Sequence, residues 1–156
     1  PVDDPNAVLS GFANPKMGEW INSTLEADLE EKGAYDATAP FRSGSRLLEA
    51  EGGTYLRPTI VHCDSMEHVL ANREFLCPYA SVVEVPQAEM LRSIGPTLVV
   101  TAITKDESFK RQLLGASNVE RLNIGPISTM KISWDQPHEG NMFEFLYKRR
   151  SIGMAA

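Results

Sequence analysis

The stretch Arg73-Glu74-Phe75-Leu76-Cys77-Pro78 sets one carboxylate ahead of an apolar pair, a thiol and a proline. An ionised carboxylate only accepts hydrogen bonds, and its two oxygens suit it to a ligand rich in donors. The same residue type also serves as the solvated end of a helix that runs into a buried strand, so Glu74 has two readings. Two thiols, Cys63 and Cys77, are the candidate nucleophiles. A nucleophilic cysteine needs a neighbour that favours the thiolate, and the motif around Cys77 holds no His or Lys. Burial as a small apolar side chain is the preferred reading for both. Cys63 does follow His62, but adjacent residues on a strand point to opposite faces, which spoils a Cys–His dyad. Farther along, His138 and Glu139 have no second His or Cys at ligand spacing, so no metal site is read there.

These residues need elements to position them. Asn14-Pro15 has the form of a helix cap followed by a first helical residue, and Met17, Ile21, Leu25 and Leu29 recur at i+4 with Trp20 alongside, up to Gly33. Residues 34–53 are mixed and turn-rich, with one short strand suggested at Arg46 to Glu49. Then the pattern becomes regular. Strands are expected at Pro58 to Cys63, Ala80 to Val85, Thr97 to Ile103 and Val119 to Ile124. Between them fall a short helix from Asp64, with Glu67 spaced for a capping box, a helix from Pro86 to Gly95, and one started by Asp106 with Phe109 and Leu113 on one face. The tail suggests another helix, with Asn141 and Glu144 spaced for a cap, and a last short strand. Near-continuous apolar strands alternating with helices predict an α/β fold, a mainly parallel sheet flanked by helices on both faces.

Bulk composition narrows the function. The 156 residues fit a single domain, and 42% hydrophobic with 23% charged residues describes an ordinary globular chain. A net charge of -6 argues against a nucleic-acid partner, which requires a basic surface, and Lys148 to Arg150 is too short a run to reverse that. No apolar run approaches the ~20 residues that span a bilayer, and PVDDPNAV has no signal-peptide character, so no membrane partner is expected and the chain reads as cytoplasmic with reduced thiols. It opens on Pro1 without an initiator Met, and so reads as a piece of something longer.

Three segments in order, GGTYLRPTI (Gly52 to Ile60), REFLCPYASVV (Arg73 to Val83) and TLVVTAITKD (Thr97 to Asp106), resemble the aldehyde dehydrogenase superfamily. The resemblance runs from about Gly52 to Ile124 and is looser outside, where Val2 to Gly33 resembles the helix that follows the catalytic cysteine segment. No single motif is diagnostic; the ordered set is. The resemblance implies that Glu74 accepts hydrogen bonds from the nicotinamide ribose hydroxyls of NAD or NADP, fixing the nicotinamide for hydride transfer. Where the family commonly has a phenylalanine near the nicotinamide, this chain has Leu76, its aromatic being displaced to Phe75. Trp134 falls where relatives build the substrate funnel, and so either lines an aldehyde pocket or is a half-buried residue in the turn SWDQPHEG.

The family oxidises an aldehyde to a carboxylic acid through a cysteine thiohemiacetal, with a glutamate activating the hydrolytic water. Neither group falls in this chain by position, and there is no GxGxxG for a nucleotide-binding domain. The resemblance therefore implies the C-terminal portion of an aldehyde dehydrogenase-like catalytic domain without its N-terminal nucleotide-binding domain, holding no catalytic residue and inactive alone. Relatives are homo-oligomers, and surface facing missing segments favours self-association. Two alternatives stay open: a free-standing, non-catalytic α/β binding or interaction module, and a fragment of a related semialdehyde or acyl-phosphate reductase.

Overall fold

A computed structural model describes residues 11–50 and 52–132 of the chain. Helix α1 spans Pro15–Leu29. Asn14 caps it: its Oδ1 accepts from the Lys16 backbone N–H at 3.2 Å, while Pro15 has no N–H to satisfy. The apolar stripe points inward, with Ile21 and Leu25 fully buried. Between Met17 and Glu19, Gly18 allows a close approach. A Cβ there would stand 3.1 Å from Phe12 Cδ2, 3.2 Å from Thr54 Cγ2 and 3.3 Å from Leu47 Cδ1. The ~1 kcal/mol that glycine costs a helix interior is thus offset by tight helix packing.

The chain divides into two compact units, Pro1–Pro86 and Gln87–Ala156. In the first, strands β1 (Ala34–Asp36), β4 (Thr59–Cys63) and β5 (Tyr79–Val83) form one sheet in the order β1-β4-β5. β4 and β5 run parallel, Thr59 opposite Tyr79 and Cys63 opposite Val83, and β1 runs antiparallel to β4. β2 (Leu47–Ala50) and β3 (Gly53–Leu56) make a separate antiparallel hairpin. Ile21 and Leu25 of α1 meet Leu56, Val61, Cys63 and Leu70 in one core.

In the second unit, α2 (Gln87–Ile94), β6 (Thr97–Ala102), α3 (Glu107–Gly115) and β7 (Val119–Ile124) follow in order, with β6 and β7 parallel. Asp106 caps α3, its Oδ1 accepting from the N–H groups of Ser108 (2.8 Å) and Phe109 (3.2 Å). Ala102, Phe109 and Leu113 form the core, backed by Met90, Leu91, Val100 and Leu122. At the end of α2, Gly95 takes φ +66, and Asn118 Nδ2 donates to the carbonyls of Leu91 (3.1 Å) and Gly95 (2.7 Å).

The α/β class and its parallel strand pairs hold. β1 and β3 are additions, both within or next to the segment that the sequence presents as irregular. The helix expected from Asp64 is absent. In its place a turn leads to a single 3-10 turn at Val69–Ala71, capped by His68, whose Nδ1 accepts from Leu70 N–H at 3.1 Å. Asp64 N–H donates to Gly33 O at 2.7 Å, which continues the β1–β4 pairing by one residue. The expected helix at Asn141 and the last strand lie outside the described residues.

One buried carboxylate fastens the first unit. Asp36 is only 7% exposed at its side chain. Its Oδ1 accepts from Thr38 N (2.9 Å) and Thr38 Oγ1 (2.6 Å), and its Oδ2 from Arg46 Nη2 (2.9 Å) and Arg42 Nη2. Arg46 Nη1 reaches Asn22 Oδ1 on α1 at 3.1 Å, and Arg42 Nη1 reaches Thr38 Oγ1 at 2.9 Å. Burial alone would raise the acid's pKa. The hydrogen bonds from Thr38, Arg46 and Arg42 overcome it and lower the value from 3.8 to about 2.

Because the folded value lies below the unfolded one, this stabilisation is complete above pH 3.8 and is lost as the pH falls toward about 2. Asp36→Asn is expected to lower unfolding free energy at neutral pH by about 3 kcal/mol and to flatten the acid limb of stability. Urea melts from neutral pH down to about pH 2 check both; an acid limb unchanged by the substitution contradicts the assignment. Leu25→Ala, at a fully buried position, is expected to cost about 2–5 kcal/mol in the same melts.

Candidate functional site

Glu74 lies on an irregular segment, residues 73–78, which bends at Leu76 to Pro78, between the 3-10 turn at Val69–Ala71 and β5. Alternate residues face alternate ways: Arg73, Phe75 and Cys77 are partly buried, whereas Glu74, Leu76 and Pro78 are exposed. The alternation in burial continues into β5, although the backbone turns on the way, Tyr79 N–H donating back to Cys77 O at 2.7 Å.

The inward side chains are anchors. Arg73 donates to Asp28 Oδ2 of α1 from Nε (3.2 Å) and Nη2 (2.7 Å). Its guanidinium also sits 5.9 Å from the centroid of the Phe75 ring. Phe75 meets the edges of Trp20 at 6.4 Å and Tyr79 at 5.1 Å. Two β5 side chains hold the start of the segment, Tyr79 Oη donating to Leu70 O at 2.7 Å and Ser81 Oγ to Ala71 O at 3.1 Å. Burial pushes the Tyr79 hydroxyl up to about 12, so it remains a donor at neutral pH. At the far end, Thr59 N–H donates to Pro78 O at 2.9 Å.

The outward pair is therefore presented from a fixed backbone. Glu74 makes no hydrogen bond or ion pair among the described residues, so both carboxylate oxygens are open to donors. Leu76, two residues on, is 91% exposed. The two residues expected to contact a cofactor are thus both at the surface. A polar pocket of about 220 Å³, lined by Gly33, Asp64, Glu67 and His68 among others, includes neither of them. Trp134, the expected substrate-pocket residue, lies outside the described residues, as do His138 and Glu139.

Both thiols sit as their surroundings suggest. Cys63 is fully buried in the core and Cys77 packs against it; burial raises the pKa of each, and Asp64 adds to the rise at Cys63. His62 faces the other side of β4 from Cys63 and stacks on Tyr35 with ring centroids 5.1 Å apart. Neither cysteine is poised as a thiolate. Asn123 is buried on β7 and donates from Nδ2 to Thr101 Oγ1 at 3.1 Å, and that hydroxyl donates in turn to Ile127 O at 3.1 Å.

The anchoring roles of Arg73 and Phe75 are what motif reading passes over. Their signal is present in the alternation of Arg73, Phe75, Cys77 and Tyr79 with Glu74, Leu76, Pro78 and Ala80. Asp28 is the missing half, and nothing in the sequence pairs it with Arg73, 45 residues away.

No protein-family model matches the chain, and no curated protein matches its sequence. Solved structures do match its fold. Lactaldehyde dehydrogenase from Escherichia coli aligns over 89% of this chain and 28% of its own, with TM-score 0.65 and 15% identity. The aldehyde dehydrogenase KauB from Pseudomonas aeruginosa aligns over 85% of this chain and 26% of its own, with TM-score 0.65 and 20% identity. An indole-3-acetaldehyde dehydrogenase in complex with NAD+ aligns over 85% of this chain and 26% of its own, with TM-score 0.63 and 18% identity. The chain therefore has the fold of about a quarter of an aldehyde dehydrogenase polypeptide.

Proposed function

We propose that the chain is the C-terminal portion of the catalytic domain of an NAD(P)-dependent aldehyde dehydrogenase, oxidising an aldehyde to a carboxylic acid in the complete enzyme and inactive alone. The observation that carries this reading is the fold likeness over 85–89% of the chain, taken together with the ordered motifs that resemble the same family. NAD(P), when bound, supplies the hydride acceptor. Glu74 and Leu76 fit a role in holding it. Two open carboxylate oxygens match the two donors of a ribose diol, and a bare leucine beside them offers apolar cover that excludes water.

The division of labour follows from the thiols. A buried Cys63 and a half-buried Cys77, each with a raised pKa, are unsuited to attack a carbonyl carbon. The nucleophilic cysteine and the water-activating glutamate belong, in this reading, to another part of the polypeptide. What this chain contributes is position: Arg73, Phe75 and Tyr79 fix the backbone from which Glu74 orients the ribose, and orientation of the hydride acceptor governs the rate of transfer.

Glu74→Gln in the complete enzyme keeps the shape but replaces an acceptor-only group by one that accepts through a single neutral oxygen. It is expected to raise KM for the nucleotide by roughly tenfold or more, the loss of one or two charge-assisted hydrogen bonds. Steady-state kinetics with NAD and with NADP measure this. A variant with the nucleotide KM and turnover of the wild type contradicts the ribose role.

A further inference from the structure

Residues 73–76 are held by side chains rather than by the sheet. They make no backbone-to-backbone hydrogen bond among the described residues, and pairing with β4 begins only where Thr59 N–H meets Pro78 O. Two tethers take its place, one polar and one apolar. Arg73 donates twice to Asp28 Oδ2 near the end of α1, and Phe75 meets Trp20 of α1 and Tyr79 of β5. Glu74 is the single residue between them. On helical grounds Asp28 is poorly placed. An acid in the last turn faces the negative end of the helix dipole, aspartate is a weak helix former, and no basic residue shares that turn. What Asp28 meets instead is a guanidinium 45 residues away. Its side chain is 17% exposed and that of Arg73 35%, so water and salt screen the pair less than one lying wholly on the surface.

We propose that Asp28 is a positioning residue for the nucleotide: through Arg73 it sets the backbone at Glu74, and with it the direction in which that carboxylate is offered to the ribose diol. The inference deepens the reading of Glu74 as the ribose ligand and rests on it. Peptide units are stiff, so fixing Arg73 on one side of Glu74 and Phe75 on the other leaves its Cα little play. With the ion pair broken, the Phe75 contact alone remains, and the segment pivots about it. Small displacements suffice to matter, because a misplacement of about 1 Å costs a transfer step as much as 100-fold.

Steady-state kinetics of the complete enzyme carrying Asp28→Asn, Glu74→Gln or both test this. Asp28→Asn keeps the side-chain shape and removes the charge; Arg73→Gln breaks the pair from the other side and serves if Asp28→Asn does not fold. Either is expected to raise the nucleotide KM by about three- to tenfold while the aldehyde KM stays within about twofold of wild type. In the Glu74→Gln background the same substitution is expected to change the nucleotide KM by less than about twofold, since the group it positions is already gone. A wild-type nucleotide KM in both pair-breaking variants overturns the proposal, even if thermal melts show them less stable, for Asp28 then only docks the helix. An equal rise in both backgrounds also overturns it, because the effect does not pass through Glu74. Wild-type kinetics of Glu74→Gln defeat the ribose reading itself and this inference with it, whereas an effect of Glu74→Gln without one of Asp28→Asn or Arg73→Gln defeats this inference alone.

Discussion

The carboxylate of Asp36 is the constraint from which the first unit takes its shape. It ends β1, yet through Thr38, Arg42 and Arg46 it reaches the 3-10 turn at Ala39–Phe41 and the residue that leads into β2. Arg46 carries the connection to Asn22 on α1, and Arg42 extends it to Pro58 O (3.3 Å) and Thr59 Oγ1 (3.4 Å) at the start of β4. A buried acid is tolerated only when its lone pairs are filled, and here four donors fill them. The irregular stretch between β1 and β2 has little apolar content with which to hold itself. Ion pairing and hydrogen bonding replace hydrophobic packing there, and leave the chain at the correct height to enter β4.

From β4 the order passes to β5 and to the segment before it. β5 pairs with β4 through backbone bonds and at the same time secures the 3-10 turn through Tyr79 and Ser81. Segment 73–78 is thereby held at both ends, with Arg73 on Asp28 at its start. The inward side chains meet the core, and the outward ones, Glu74 and Leu76, are exposed.

Elements with a local signature were legible in the sequence. Asn14-Pro15 announces α1 and Asp106 announces α3 because a cap is a contact within three residues. β4 to β6 were legible as short, largely apolar runs, and β7 from the apolar residues Val119, Leu122 and Ile124 after a helix. β1 was not, since three residues, Ala34 to Asp36, carry no period and become a strand only by pairing with a partner about 26 residues on. The Asp64 helix is a misreading of a valid local capping pattern: Asp64 N–H instead continues the β1–β4 pairing by donating to Gly33 O, and the helical turn comes later, capped by His68. In the site, Glu74 and Leu76 came from family resemblance, whereas the Arg73–Asp28 pair depends on a fold that motif spacing does not encode.

The alternation along residues 73–78 makes the length of this segment more restricted than its composition. Exchanging one outward side chain leaves every anchor in place. Inserting or deleting a single residue reverses the parity, turning a carboxylate toward the core and a guanidinium and a phenyl ring toward water. The residue count from the 3-10 turn to β5 is therefore under tighter constraint than the identity of any one exposed side chain such as Pro78.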